Sequence, residues 1–286
     1  MDAKDVSRIG IVGAGTMGSG IAEVAARAGI RAVFLEATEE LVARGSERIA
    51  SSLHRAEEKG KIDPAARDAA ISRVTGVTDI GDLAEVDLVI EAATEAREAK
   101  LDIFRRLDAT VRPDVVLASN TSSIPISELA AATGRPSSVI GMHFFNPPPA
   151  MKLLELIPAE ATSEQTYTFA LGVGERLGKT CVRSADRAGF IVNRLLIPYL
   201  NDAAQALDEQ VATREDIDTA ITLGLGHPMG PLALTDLIGI DVVVAICEVL
   251  EREFDDPRYA PAPILRRMVD QGLLGRKTGR GFYGGG

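Results

Sequence analysis

Gly13-Ala14-Gly15-Thr16-Met17-Gly18 lies between a short apolar run and a helical one, and no other segment restricts the fold so tightly. Arg8 to Gly13 reads as a buried strand and Thr16 to Ala28 as the helix after it, closed by Gly29. In such a turn the first glycine permits the tight bend and the second lets a pyrophosphate approach the backbone. The third lets helix and strand pack closely. The opening helix aims its unsatisfied N–H groups at the phosphates. Gly13, Gly15, Met17 and Gly18 are therefore the candidate phosphate-binding positions. A second β-run, Arg31 to Glu36, ends in a carboxylate eighteen residues past Gly18. Placed there, Glu36 accepts from ribose hydroxyls and repels a 2′-phosphate, so NAD is expected rather than NADP. A glycine turn with a surface glutamate is the plain alternative, and FAD shares the same fingerprint.

Beyond Glu36 the chain keeps alternating β-branched runs with helical stretches. A long helical segment runs through Lys59, and Asp63-Pro64 restarts a helix with Asp as cap and Pro at the first helical position. Further strands fit 87–92, 115–119, 139–143, 153–157 and 180–182. This alternation predicts an α/β domain, a Rossmann-type and mainly parallel sheet covered on both faces. From about Asp186 the pattern turns helical, at 188–209, 213–223, 230–253 and 261–272, with glycines and prolines at 224–231 as punctuation. The expectation is a nucleotide-binding domain over 1–185 followed by a smaller all-helical domain over 186–286. The closing Gly284-Gly285-Gly286 reads as frayed chain.

With 46% hydrophobic and 25% charged side chains in 286 residues, the composition is that of a globular protein. The formal charge of −10 argues against nucleic acid, which needs a basic face. The polar start Met1-Asp2-Ala3-Lys4-Asp5 does not read as a secretory signal, and Val242 to Ile246 is too short to span a bilayer. A cytoplasmic enzyme is the simplest expectation. Cys181 and Cys247 fall in no metal or redox motif, so buried thiols are expected and no metal site.

Three histidines are available. His54 lies among charged helical residues and reads as solvated, while His227 sits in a Gly-His-Pro turn that suits a structural hydrogen bond. His143 ends a predicted strand, at the edge where such sheets bind ligands. An imidazole there suits proton abstraction from an alcohol near neutral pH, although a structural role fits its position equally. Glu155 interrupts Leu153-Leu154-Glu155-Leu156-Ile157, so it is either paired or faces outward from an edge strand.

Five further motifs occur in order: Ala118-Ser119-Asn120-Thr121-Ser122-Ser123, His143-Phe144-Phe145-Asn146-Pro147-Pro148, Gly189-Phe190-Ile191-Val192-Asn193-Arg194, Gly224-Leu225-Gly226-His227-Pro228-Met229-Gly230-Pro231 and Lys277-Thr278-Gly279-Arg280-Gly281-Phe282-Tyr283. With the glycine loop, they make the chain resemble the 3-hydroxyacyl-CoA dehydrogenase family over essentially its whole length, most of all its short 3-hydroxybutyryl-CoA dehydrogenases. The gulonate dehydrogenase and lambda-crystallin branch shares the fold but is less aromatic after the motif histidine. Many family members carry Asp where this chain has Glu36, and Glu serves the same ribose role with a longer arm.

The resemblance implies an active site between the two domains, a homodimer formed through the helical domain, and NAD-dependent oxidation of an (S)-3-hydroxyacyl-CoA. It implies His143 as general base and Glu155 as the residue that orients it and stabilises its imidazolium. Ser122 and Asn193 match the family's substrate-binding polar residues; helix capping and a domain-junction contact are their plain readings. Asn120 and Asn146 match positions near the nicotinamide and the histidine, and Glu95 with Lys100 matches a cofactor-side pair, for which a plain i,i+5 solvated pair is the alternative. Ser52 and Lys59 fall where the family contacts coenzyme A. A solvated face is the alternative there, since Arg55, Lys59 and Lys61 are interleaved with Glu57 and Glu58. A sugar-acid dehydrogenase and a non-catalytic nucleotide sensor are the rival functions.

Overall fold

The computed structural model describes residues 2–284, and the chain divides into two compact units between Arg187 and Ala188. In the first unit, β1 (Arg8–Val12), β2 (Arg31–Leu35), β3 (Val74–Val77), β4 (Leu88–Glu91), β5 (Val116–Ser119), β6 (Val139–Phe144), β7 (Leu153–Pro158) and β8 (Thr180–Arg183) form one sheet. Its order is β3-β2-β1-β4-β5-β6-β7-β8. The strands from β3 to β6 in this order are all parallel. β7 then pairs antiparallel with β6, and β8 runs parallel to β7.

Helices α1 (Thr16–Arg27), α2 (Glu39–Glu58), α3 (Pro64–Ile71), α4 (Arg97–Thr110), α5 (Ile126–Ala131) and α6 (Glu164–Arg176) lie between the strands in sequence. Local chemistry starts several of them: Thr38 caps α2 through the Leu41 N–H, Asp63 caps α3 through Ala66 and Ser163 caps α6 through Thr166. Strand alternation decides what each face of the sheet meets. Leu88 and Ile90 join Ile21, Ala25, Phe169 and Val173 in one core. Val89 and Glu91 therefore point to the opposite face, and α4 buries Lys100, Leu101, Phe104 and Leu107. By the same rule His143 and Glu155 leave the face taken by Met142, Phe144, Leu154 and Leu156.

β3 is a strand that the sequence pattern does not announce. Val74-Thr75-Gly76-Val77 is short, carries a glycine and buries none of its residues at the sheet edge. The glycine is needed for packing, because a Cβ at Gly76 would lie 2.5 Å from Val42 and 2.6 Å from Phe34.

The second unit is helical: α7 (Val192–Asp208), α8 (Arg214–Leu225), α9 (Pro231–Ile238), α10 (Ile240–Phe254) and α11 (Pro263–Asp270). Two expectations are corrected. The helix foreseen at 230–253 is two helices, broken at Gly239, whose φ of 108° no helix accommodates. Helix α7 begins at Val192 rather than at 188, because Gly189 and Phe190 take φ of 76° and 47°. Buried carboxylates and amides hold the turns. Asp236 accepts from the N–H groups of Phe282 and Tyr283, and Asn201 bridges Ala260 O and Ala262 N–H. The closing Gly281-Phe282-Tyr283 motif is thus an anchor of this core. Gly284 bridges to Arg280 and is not frayed; Gly285 and Gly286 lie outside the described residues.

Candidate active site

The glycine loop follows β1. Gly13 takes φ of 88° and donates to Leu35 O at 2.9 Å. A Cβ at Gly13 would lie 2.5 Å from the Ala93 backbone, and one at Gly18 only 1.8 Å from Gly13 O. Packing alone therefore demands glycine at both. Gly15 differs, since a Cβ there meets nothing within 4 Å. Its glycine leaves open space at the N-terminus of α1, where Gly15 is the N-cap and no side chain caps the helix. Those are the conditions for an anion held by backbone N–H groups. Met17 is half-buried against the core. Glu36 directly follows β2, and its Oε1 accepts from the Ala14 N–H at 2.6 Å, while Arg48 donates to Ala14 O at 2.7 Å.

His143 and Glu155 are register partners across β6 and β7. The Nδ1–Oε2 distance is 2.7 Å, with Glu155 fully buried and His143 only 7% exposed. A carboxylate can only accept, so Nδ1 is the donor of this bond, which fixes the tautomer whose second nitrogen, Nε2, is the basic one when the ring is neutral. Phe145 lies edge-on to the imidazole with centroids 4.8 Å apart.

Ser122 is displayed by a turn that Thr121 builds. Thr121 Oγ1 accepts from the N–H groups of Ser123 and Ile124 at 3.2 and 3.1 Å and donates to Glu95 Oε2 at 2.8 Å. Ser123 Oγ also donates to Glu95. Ser122 does not cap α5, whose first N–H groups, those of Ile126 and Ser127, are taken by Asp186 at 2.8 Å each. Asn120 Oδ1 accepts from the Phe144 N–H at 2.9 Å, which ties the end of β5 to the residue after His143.

The expected pairing of Glu95 with Lys100 is corrected. Lys100 is 1% exposed and its Nζ lies 2.5 Å from Oε2 of the fully buried Glu91. Helical spacing explains it: α4 turns Lys100 inward with Leu101 and Phe104, onto the face of the sheet that carries Glu91. Glu91 also accepts from Ser119 Oγ and the Ala93 N–H, both at 2.8 Å. The sequence reading missed Glu91, although an acid ending the apolar run Leu88-Val89-Ile90 is the same signal that singled out Glu155.

Ser52 and Lys59 line one groove of about 260 Å³ with Glu23, Arg55, Lys61 and Pro147. Lys59 is the C-cap of α2, one residue past the helix end. The far wall is the turn after His143-Phe144-Phe145, where exposed Asn146 precedes a cis bond to Pro147. Lys179 fastens that turn, donating to Pro148 O at 2.5 Å and Met151 O at 2.8 Å. Burial, with the Arg27 charge nearby, holds the Lys179 ammonium below the usual lysine range, and Glu23 pulls the other way. His54 is exposed beside Glu57, and His227 is exposed, its Nδ1 3.5 Å from Tyr199 Oη in the second unit. Asn193 is half-buried on the first turn of α7.

Residues 8–187 match the NAD-binding domain of 3-hydroxyacyl-CoA dehydrogenase, and residues 189–285 match the C-terminal domain of the same enzyme. The chain belongs to the 3-hydroxyacyl-CoA dehydrogenase family. A 3-hydroxybutyryl-CoA dehydrogenase of Mycobacterium tuberculosis is 50% identical over 283 residues, covering 97% of this chain and 98% of that one. Among solved structures, M. tuberculosis FadB2 superposes with a TM-score of 0.95 at 49% identity, over 98% of this chain and 99% of its own. The (S)-3-hydroxybutyryl-CoA dehydrogenase PaaH1 of Ralstonia eutropha gives a TM-score of 0.94 at 46% identity, over 99% and 100% of the two chains. The expected Rossmann-type domain followed by a helical domain is the architecture of this family. NAD is its cofactor, and the uncapped start of α1 with the open side of Gly15 suits a dinucleotide's phosphates.

Proposed function

We propose that the chain interconverts (S)-3-hydroxybutyryl-CoA, or a closely similar short-chain 3-hydroxyacyl-CoA, and its 3-ketoacyl-CoA. The observation that carries the reading is the buried His143–Glu155 pair, with Nδ1 and Oε2 2.7 Å apart. It is supported by relatives that are 3-hydroxybutyryl-CoA dehydrogenases over nearly their whole length.

NAD supplies the hydride acceptor when bound at the glycine loop. In the oxidative direction His143 takes the 3-hydroxyl proton on Nε2 as the C3–H bond breaks with its electron pair and the C3=O bond forms. Glu155 holds the ring in the tautomer that makes Nε2 the base and stabilises the imidazolium that results. The proton leaves His143 before the next turnover. In the reductive direction the imidazolium is the acid that protonates the new alkoxide. Ser122, from the turn anchored on Glu95, hydrogen-bonds the reacting oxygen, and Asn193 is a further substrate-binding residue. Asn120, Asn146, Glu36, Met17 and the loop glycines serve the cofactor side. Ser52 and Lys59 hold the coenzyme A end, with Lys59 as a point charge for phosphate.

Two coarser features complete the proposal. A homodimer forms through the helical unit, whose α7 and α8 leave Leu195, Leu223 and Leu225 more than half exposed. The compartment is the cytoplasm, which suits two free cysteines. Among the described residues no helix is long and apolar enough to cross a membrane.

The deciding experiment follows NADH absorbance with acetoacetyl-CoA, free acetoacetate and a sugar acid as alternative substrates. Turnover confined to acetoacetyl-CoA is expected. Preference for the sugar acid would overturn the substrate, and no turnover with any of them would favour a non-catalytic role.

A further inference from the structure

Ala14 stands between the first two glycines of the phosphate loop, and side chains from two different parts of the chain hold its two backbone groups. Its N–H donates at 2.6 Å to Oε1 of Glu36, just past β2. Its carbonyl accepts at 2.7 Å from Nη1 of Arg48, on α2. Helix α2 can come this close because of Gly45, one turn before Arg48, where a Cβ would lie 2.7 Å from Ala14 Cβ. Ala14 is 1% exposed, whereas Arg48 is an exposed residue. A surface arginine ordinarily stays in water or pairs with an acid, so a guanidinium committed to a neutral carbonyl needs a reason.

Peptide geometry supplies one. The sole cis peptide among the described residues joins Asn146 to Pro147, so the one joining Ala14 to Gly15 is trans. In a trans peptide the C=O and the N–H that follows it point in opposite directions. Holding Ala14 O against α2 therefore aims the Gly15 N–H away from α2. Gly15 is exposed, a Cβ on it would meet nothing within 4 Å, and it is the N-cap of α1. That open ground is where a helix start presents its N–H groups to a phosphate. The preceding peptide obeys the same rule. Glu36 holds the Ala14 N–H, and Gly13 O points the other way, to within 1.8 Å of where a Gly18 Cβ would be.

We propose that Arg48 is a positioning residue for the cofactor. Through Ala14 O it fixes the peptide whose Gly15 N–H binds the pyrophosphate of NAD, without itself touching the dinucleotide. The proposal rests on the NAD of the family and not on the acyl-CoA reading, so the two can fail separately.

The test measures the dissociation constants of NADH, ADP-ribose and adenosine for the unmodified protein, Arg48→Met and Arg48→Lys. NADH is followed by its fluorescence and the other two by competition, at low and at high salt. Thermal melting and circular dichroism check that each variant is folded. Arg48→Met removes the donor and keeps the apolar stem. It should weaken NADH and ADP-ribose, which both carry the pyrophosphate, by about threefold to tenfold, the effect of one hydrogen bond. Adenosine has no phosphate and should bind all three proteins alike. The loss should persist at high salt, because the bond removed is to a neutral carbonyl, whereas a direct ion contact would be screened. Arg48→Lys keeps a cationic donor of shorter reach and should fall between the other two proteins. It carries the test if the methionine variant does not fold. Unchanged NADH binding in a folded Arg48→Met protein overturns the proposal. So does a loss shared by adenosine, which would place Arg48 against the nucleoside. A loss that disappears at high salt also overturns it, by placing the Arg48 charge on the phosphates.

Discussion

His143 and Glu155 are twelve residues apart in the chain, directly opposite in the β6–β7 ladder, and joined at 2.7 Å. The antiparallel step in an otherwise parallel run of strands is what makes this possible, because only a reversed strand brings a residue so near in sequence back alongside the end of β6. His143→Gln should lower turnover by roughly 10²–10⁴-fold while NAD binding survives at the separate glycine loop. Glu155→Gln should also depress turnover, since an amide cannot stabilise the imidazolium as a carboxylate does. Two residues acting as a unit lose less together than the product of their separate losses. A double-mutant cycle on kcat measures this. Losses that multiply, or a His143→Gln enzyme of near-normal activity, would remove the mechanism and leave the fold untouched.

Cofactor choice should follow Glu36, whose Oε1 already holds the Ala14 N–H of the glycine loop at 2.6 Å. Glu36→Ala removes both the ribose acceptor and the repulsion toward a 2′-phosphate. The ratio of kcat/KM for NADH over NADPH should be large in the unmodified protein and fall in the variant. Equal use of both coenzymes by the unmodified protein would rule this out.

Much of this site could be read from residue order, for reasons that particular residues make clear. Gly18 is demanded by Gly13 O within the same loop, so a local pattern reports it faithfully, and Gly13 is legible through the tight turn its φ of 88° makes, although the backbone that crowds it is that of Ala93. Glu155 is visible because an acid inside an apolar run must have a partner, and its partner lies on the neighbouring strand. Glu91 gave the same signal, but its partner Lys100 comes from a helix, and the family resemblance set Lys100 beside Glu95 instead. Thr121 was hidden, because its work is to shape a turn through two backbone N–H groups and not to touch a ligand. Lys179 was hidden too, since its carbonyl partners Pro148 and Met151 lie about thirty residues earlier in the chain. β3 escaped because it buries nothing, and the break at Gly239 because two short apolar helices read as one long one.

The cysteines should be inert in the folded protein. Burial pushes the Cys181 thiol up to about 11 and Cys247 up to about 12, with nearby Glu175 and Glu248 adding to it. A free thiol ionises near 8.5, so at pH 8 alkylation by iodoacetamide should be slower than after unfolding by on the order of a hundredfold at Cys181 and a thousandfold at Cys247. Burial disfavours the thiolate, so the native rate should climb with pH and level off only near those raised values. Labelling followed by mass spectrometry, with and without urea, measures both. Rapid native labelling of either residue at pH 8 would contradict the packing.

Assembly should depend on the exposed apolar face of α7 and α8 and not on α10. Helix α10, apolar over 241–250, buries Val243, Val244, Cys247 and Leu250 within its own unit. Leu195 at 70%, Leu223 at 79% and Leu225 at 62% exposure are the residues that a second copy would cover. Light scattering at micromolar concentration should give a dimer for the unmodified protein and a monomer for Leu195→Asp combined with Leu223→Asp. A monomer from the unmodified protein, or a dimer that survives both changes, would reject this interface.

Lys100 poses a choice between two roles that stability and cofactor binding can separate. Its ammonium is 1% exposed against the fully buried Glu91, whose other contacts are Ser119 Oγ and the Ala93 N–H. Removing one member of a buried ion pair strands the other charge, at a cost of about 3–5 kcal/mol. Lys100→Met should therefore lower the melting temperature by about 10 °C in a unit of this size. Adding Glu91→Gln removes the stranded charge and keeps an acceptor for Ser119, so the double variant should melt close to the unmodified protein. Calorimetry on the single and double variants, with NAD titrated into each, reads out both roles. An unchanged melting temperature with weakened NAD binding would assign Lys100 to the cofactor. A melting temperature that drops in Lys100→Met and returns in the double variant assigns it to the support beneath the glycine loop.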